Sequence, residues 1–246
     1  MKEKLNILRV SKIKKYYNDF LALDNVNLNI KSGEFVALLG PNGAGKSTLF
    51  SILSGMIQAD EGDCLIDGNN IIHKSVDALK KLGIVFQQPT IDMELTVIEN
   101  LFFHARLHGI SLKNLKHNIT KELETYKLET KINKKVRTLS GGERRKIELI
   151  RALLHSPRVL LMDEPTVGLD PKSRQDLLSK ILKLKNTKGL SVLWTTHLVD
   201  EAEKADKIII LNKGKVLKEG NHNSLIREAS TNTLGEAFLK LTEGKK

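Results

Sequence analysis

The stretch Gly40-Pro41-Asn42-Gly43-Ala44-Gly45-Lys46-Ser47-Thr48 limits what this chain can fold into more than any other. It follows the apolar run Glu34-Phe35-Val36-Ala37-Leu38-Leu39 and precedes the apolar-periodic run Leu49-Phe50-Ser51-Ile52-Leu53. Strand, glycine-rich turn and helix in that order are the context of a phosphate-binding loop. Gly40, Gly43 and Gly45 lack a Cβ, so the backbone can curl and aim several N–H groups at one point. A helix starting near Lys46 adds its unpaired N-terminal N–H groups and the positive end of its dipole. Lys46 supplies a point charge for terminal phosphates, and the Ser47 hydroxyl is placed to hold Mg²⁺.

The rest of the chain supplies a sheet for this loop to sit on. Residues 5 to 39 read as strands, with Val26, Leu28 and Ile30 alternating with Asn25, Asn27 and Asn29 at the period of a half-buried strand. Tyr16 and Tyr17 precede this sheet, where an aromatic can stack on a base or simply cap the sheet. Gly55 suits a helix stop, and Asp67-Gly68 is a hairpin signal. From Thr96 to about Leu154 the pattern is helical, with Val97, Ile98, Leu101, Phe102 and Ala105 on one face and no strand signal between. Strands resume at Val159-Leu160-Leu161-Met162, Ser191-Val192-Leu193-Trp194 and Lys207-Ile208-Ile209-Ile210-Leu211, with helices expected over Pro171 to Lys185 and Leu198 to Ala205. Short apolar strands alternating with helices predict an α/β fold on a buried parallel sheet, with a helical insertion. Functional groups then collect at the carboxyl ends of the strands.

Those ends carry acids and a histidine. Asp163-Glu164 ends one strand and Thr195-Thr196-His197 another. Beside a phosphate, Asp163 can hold Mg²⁺ through its water shell and Glu164 can polarise an attacking water. Ser140-Gly141-Gly142 opens the helix that runs to Leu154. Alone it reads as an N-cap and turn; beside the first loop it becomes a second anion-binding geometry.

Taken together, these motifs resemble the ATP-binding subunit of an ABC transporter, over nearly the whole chain from Tyr17 to about Gly220. The resemblance rests on the loop at 40–48, Phe86-Gln87, LSGGE at 139–143, LLMDEPT at 160–166, Gly168-Leu169-Asp170 and TTH at 195–197. It implies a P-loop NTPase core with a mainly parallel sheet, an N-terminal antiparallel β subdomain and an inserted α-helical subdomain. The chain is then one ABC ATPase domain over 1–246. Residues 1–87 and 158–220 form its β subdomain and core, 88–157 the helical subdomain, and 221–246 a short helical tail.

The implied cofactors are ATP and Mg²⁺. Tyr17 would stack on adenine, residues Gly40 to Thr48 would bind nucleotide, and Ser47, Gln87 and Asp163 would serve the metal. Lys46, Glu164 and His197 would carry catalysis. Ser140, Gly141, Gly142 and Asp170 would act in trans: Ser140 and Gly142 on the terminal phosphate of ATP held by a second ATP-binding subunit, and Asp170 across the dimer interface. Glu143 replaces the family's commoner Gln, a change expected to matter little. A membrane permease subunit would dock on the helical subdomain. The wording from Glu143 to Pro157 and from Thr166 to Pro171 looks most like ATPases of ABC-2-type exporters, with a weaker similarity to ATPases associated with quinoprotein alcohol oxidation. The alternative is a soluble single-cassette ABC ATPase acting as an assembly factor.

Composition bears on the partners and the compartment. The net charge is +11, yet the lysines are scattered and aromatics are only 4%, too few for base-stacking platforms. No nucleic acid is therefore expected. The longest apolar runs are far too short to span a bilayer, the N-terminus shows no apolar signal region, and the one cysteine, Cys64, suits a reducing compartment. The expected location is cytoplasmic, peripheral on the inner face of the membrane. Lys46→Ala is expected to abolish measurable ATP binding by calorimetry; unchanged affinity would remove the phosphate role of the loop.

Overall fold

A buried parallel sheet fixes where everything else goes. The computed structural model describes residues 5–111, 113 and 115–243. In chain order the strands are β1 (Asn6–Tyr17), β2 (Phe20–Lys31), β3 (Phe35–Leu39), β4 (Glu61–Ile66), β5 (Asn69–Asn70), β6 (Leu82–Val85), β7 (Val159–Asp163), β8 (Ser191–Thr196), β9 (Lys207–Asn212) and β10 (Lys215–Gly220). The helices are α1 (Lys46–Leu53), α2 (Ser75–Leu79), α3 (Val97–Leu107), α4 (Leu115–Thr125), α5 (Gly141–Leu153), α6 (Pro171–Lys188), α7 (Val199–Ala202), α8 (His222–Ala229) and α9 (Leu234–Glu243). A six-stranded sheet has the order β10-β9-β3-β8-β7-β6, parallel except for β10. A four-stranded antiparallel sheet has the order β2-β1-β4-β5.

Every residue of β3, β7 and β8 is buried, which explains why these strands read as unbroken apolar runs rather than alternating ones. The pleat still sorts their side chains. Phe35, Ala37 and Leu39 of β3, Leu160 and Met162 of β7, and Val192 and Trp194 of β8 join one core cluster. Val36 and Leu38, Val159 and Leu161, and Leu193 join the other. The second cluster is completed by Leu49, Phe50 and Leu53 of α1 and by Leu8, Val10, Val26 and Leu28 of the antiparallel sheet. The first takes in Val97, Leu101 and Ala105 of α3, Ile119 and Leu123 of α4, Ile147 and Ile150 of α5, and Leu225 and Leu234 from the last two helices. The architecture is thus layered, with the parallel sheet in the middle.

Local signals act as the sequence indicates in most places. Gly55 sits just past α1 with φ 73°. Asp67 and Gly68 both have positive φ, the requirement of the tight turn joining β4 to β5. Pro171 occupies the first turn of α6, and Asp170 caps it by accepting from Ser173 N at 3.0 Å.

Three local expectations change. Tyr16 and Tyr17 do not precede the sheet but end β1, because the turn at Asn18 (φ 52°) carries the strand straight into β2. The segment after Thr96 is not continuous helix: two short 3-10 turns separate α4 from α5, and Thr96 makes an isolated antiparallel bridge with Lys135. The helix expected over 198–205 spans only Val199–Ala202, since it holds too few turns to propagate.

Because α4 shares one apolar cluster with the central sheet, Leu123→Ala should cost about 2–5 kcal/mol. The lone tryptophan, Trp194, lies in β8 of the same cluster. Its fluorescence and the far-UV circular dichroism should therefore shift their urea midpoints together; separated transitions would show that the helical segment folds by itself.

Candidate functional site

The loop between β3 and α1 is shaped by the absence of side chains at two points. A Cβ at Gly40 would lie 2.4 Å from Leu211 O, and one at Gly45 (φ 103°) would lie 2.9 Å from a Leu23 methyl group. Neither position tolerates alanine without a shift. Helix α1 begins with no side-chain cap and no acidic residue in its first turn. Its N-terminal N–H groups and dipole are left to an outside anion.

Lys46 is buried at 5% exposure and donates from Nζ to Gly40 O (2.8 Å) and Pro41 O (3.1 Å). A buried ammonium needs a counter-charge, and Glu164 Oε1 provides it at 3.3 Å. The other oxygen of the same carboxylate lies 3.3 Å from Gln87 Nε2 and 3.3 Å from His197 Nδ1. Three segments far apart in sequence therefore meet on one acid.

Glu164 is held with unusual backbone geometry for a non-glycine residue, φ 40°. Its N–H donates to Thr195 Oγ1 at 3.0 Å, and that hydroxyl donates to Asp163 Oδ1 at 2.5 Å. Thr195 thus links the end of β8 to both acids at the end of β7. Burial pushes the Asp163 carboxyl above the usual carboxylate range, against the lowering effect of the Thr195 hydrogen bond.

The cleft over the loop has a volume of about 470 Å³, within the range of small-molecule sites. Its floor is the backbone and side chains from Asn42 to Thr48, its polar wall is Gln87 and Glu164, and its rim is Tyr17, Phe20 and Ala22. The structure therefore brings Tyr17, the loop, Ser47, Gln87 and Glu164 together. Asp163 and His197 do not line the cleft but touch it through Thr195 and Glu164. Phe20 was not singled out from the sequence. Its signal was available: two residues beyond Tyr17-Asn18, it is 67% exposed across the same turn.

Ser140, Gly141, Gly142 and Asp170 are absent from this lining. They form a patch of their own. Ser140 Oγ accepts from Glu143 N (3.2 Å) and Glu143 Oε2 accepts from Ser140 N (2.8 Å), a complete capping box at the start of α5. A Cβ on Gly142 would sit 3.2 Å from Ser173 Oγ, and Ser173 Oγ donates to Asp170 Oδ2 at 2.6 Å. Glu143 thus has a local structural role at its position in LSGGE.

Two buried acids and an arginine behind the site were not identified from the sequence. Arg145 donates to Phe86 O (2.6 Å), Gln87 O (2.8 Å) and Glu148 Oε2 (2.9 Å), while Glu148 Oε1 accepts from Thr90 N (2.8 Å). Helix α5 thereby grips the backbone on both sides of the Gln87 side chain. Burial raises the Glu148 carboxyl and lowers the Arg145 guanidinium from their ordinary values, outweighing their mutual attraction. Glu201, also buried, accepts from Trp194 Nε1 (3.0 Å), Thr196 Oγ1 (2.6 Å) and Thr166 Oγ1. It anchors the side chain of Thr196, next to His197, and Thr196 Oγ1 also accepts from Leu198 N at 3.0 Å. The one available signal was the run Arg145, Glu148, Arg151 at helical spacing on an otherwise apolar face.

Residues 23–167 match the family described as ABC transporter, more than half of the chain. The chain belongs to the ABC transporter family. It is an ATP-binding subunit and an ATPase, and it resembles cassettes of both transport directions. It is 40% identical over 217 residues to the Nod factor export ATP-binding protein I of Rhizobium sp. (strain N33), covering 88% of this chain and 71% of that protein. It is 33% identical over 233 residues to the spermidine/putrescine import ATP-binding protein PotA of Thermotoga maritima, covering 94% of this chain and 62% of that protein. Among solved structures, the dimeric bacterial ABC transporter cassette MJ0796 superposes with a TM-score of 0.79 at 32% identity, covering 87% of this chain and 98% of that one. Among the described residues no helix of this cassette is long and apolar enough to cross a membrane.

Arg145→Ala would strip Glu148, 1% exposed, of its salt-bridge partner and leave it with Thr90 N and the more distant Arg151 charge. The cassette should lose about 3–5 kcal/mol in urea unfolding. Arg145→Lys should recover only part of this, because one ammonium cannot reproduce the planar fork that spans two carbonyls and a carboxylate.

Proposed function

We propose that this cassette powers a membrane exporter of the ABC-2 type, hydrolysing ATP at a site completed by a second ATP-binding subunit. The observation that carries the reading is the convergence of Lys46, Gln87 and His197 on the Glu164 carboxylate, each at 3.3 Å, beside an uncapped helix N-terminus. Tyr17 stacks on the adenine ring, with Phe20 beside it on the same rim. The backbone from Gly40 to Thr48 cradles the phosphates. A terminal phosphate competes with Glu164 for the Lys46 ammonium, and the carboxylate is then released to take a proton from the attacking water. The water oxygen bonds to the γ-phosphorus as the bond to the β–γ bridging oxygen breaks, leaving ADP and phosphate. His197 holds the γ-phosphate and the water in line.

The oxygen donors of Ser47, Gln87 and Asp163 are of the type Mg²⁺ prefers, so these residues would hold the ion. It would neutralise charge on the phosphates.

Ser140 and Gly142, with Gly141 between them, reach the terminal phosphate held by the opposing subunit, and Asp170 crosses the interface between the two. Their support is placement: they adjoin one another through Ser173, and none lines the cleft of their own chain. Residues 88–157 act as a helical lobe on a core of 1–87 and 158–220, with 221–246 a short tail. The membrane permease docks on the outer face of α3, where Leu95, Ile98, Phe102 and Phe103 surround an apolar hollow and Phe103 and Leu107 are 62% and 69% exposed. That contact holds the cassette on the cytoplasmic face of the membrane. Export is supported by the similarity to the Nod factor export protein at 40% identity, against 33% for the import protein PotA.

Glu164→Gln keeps the shape of the site and removes the base. Turnover should fall by about 10²–10⁴-fold while ATP affinity is retained, and the ATP-bound variant should run as a dimer on size exclusion. A monomer at saturating ATP would overturn the two-subunit site.

A further inference from the structure

Away from the nucleotide cleft, three of the seven histidines of the chain gather at one junction of the fold. His104 lies in the last turn of α3, His108 is its C-cap, and His155 lies just past α5. Spacing of i and i+4 puts the first two on one helix face. The His104 and His108 rings are 4.5 Å apart, His108 and His155 are stacked at 3.8 Å, and His104 and His155 are 5.9 Å apart. One nitrogen from each lies within 4.8 Å of the others.

Packing alone does not account for the polar atoms. His104 Nε2 and His155 Nδ1 are buried without a hydrogen-bond partner, a cost that a folded chain normally avoids. The tautomer of His155 is fixed by its neighbour. Its Nε2 lies 2.7 Å from Leu82 O, and a carbonyl can only accept, so Nε2 carries the proton and Nδ1 presents a lone pair. A ligating histidine is typically oriented in this way, by a hydrogen bond from its other nitrogen to a backbone carbonyl or carboxylate.

We propose that His104, His108 and His155 form a site for a first-row divalent transition-metal ion of the zinc class, with a fourth position open to water. Metal–nitrogen bonds of about 2.0–2.1 Å place tetrahedral donors about 3.4 Å apart, so binding requires the nitrogens to close in and the His108 ring to turn out of its stack on His155. A pure imidazole set selects zinc, nickel or copper over Mg²⁺ or Ca²⁺, which take oxygen. The Nδ1 lone pair of His155 is available because its Nε2 is committed to Leu82 O. The Arg151 charge opposes a cation, but its two terminal nitrogens are tied to Thr90 O (2.9 Å) and Thr90 Oγ1 (2.6 Å), only its Nε is without a partner, and Glu148 offsets the charge. The ion would pin the end of α3 to the start of β6, the strand that leads to Gln87.

The test uses metal-stripped full-length protein without nucleotide, titrated with Zn²⁺ by calorimetry and with Co²⁺ by visible absorption. One ion per chain is expected, with the intense d–d bands of four-coordinate Co²⁺. His104→Gln, His108→Gln and His155→Gln should each weaken binding by at least about tenfold, whereas His73→Gln and His117→Gln should leave it unchanged. Should a cluster variant fail to fold, X-ray absorption of the Zn²⁺-loaded wild type decides, with three imidazoles expected. Binding no tighter than about 1 mM, binding that follows His73 or His117, or fewer than three imidazoles would overturn the site.

Discussion

The ion pair between Lys46 and Glu164 is the contact on which the rest of the site depends. Lysine is the residue a phosphate loop needs, yet here it is almost wholly buried and must be neutralised. Glu164 can reach it only because β7 lies next but one to β3 in the sheet, with β8 between them in parallel register. Thr195, at the end of that middle strand, then orders both acids through one hydroxyl. The chemistry at the sheet edge is therefore a property of strand order more than of any one motif.

A second polar system stands behind the first. Arg145, Glu148 and Arg151 put charges on the inward face of α5 and use them to hold the backbone from Phe86 to Thr90. The helix capped by Ser140 thus carries, little more than one turn later, the arginine that holds the Gln87 backbone. Any displacement of α5 is felt at the Gln87 backbone through hydrogen bonds shorter than 3 Å. On the apolar side the helical segment and the central sheet share one cluster, so the two are packed together rather than merely tethered.

Most of the architecture was readable because its signals are local. Unbroken apolar runs marked the parallel strands, glycines marked the loop, and Asp67-Gly68 marked a turn that forms as expected. The α7 and α3–α5 segments were read as too long and too continuous, because apolar periodicity does not report where a helix lacks the length to persist. Of the residues that line the cleft, Tyr17, Asn42 to Thr48, Gln87 and Glu164 were named by motif, whereas Phe20 and Ala22 were not. Arg145, Glu201 and the histidine junction were not. Their partners lie across contacts such as Arg145 with Phe86, and a charge on a helix face looks solvated until the facing chain is known.

Ser140 shows how little material such a protein needs for two tasks. Its oxygen accepts from Glu143 N and so closes the first turn of α5. Accepting uses a lone pair and leaves the hydroxyl proton uncommitted. The fold draws on one end of the O–H group, and the proposed grip on a neighbour's phosphate draws on the other. The proposed pairing therefore requires no unwinding of the helix that presents it, because the cap and the grip use different parts of one hydroxyl.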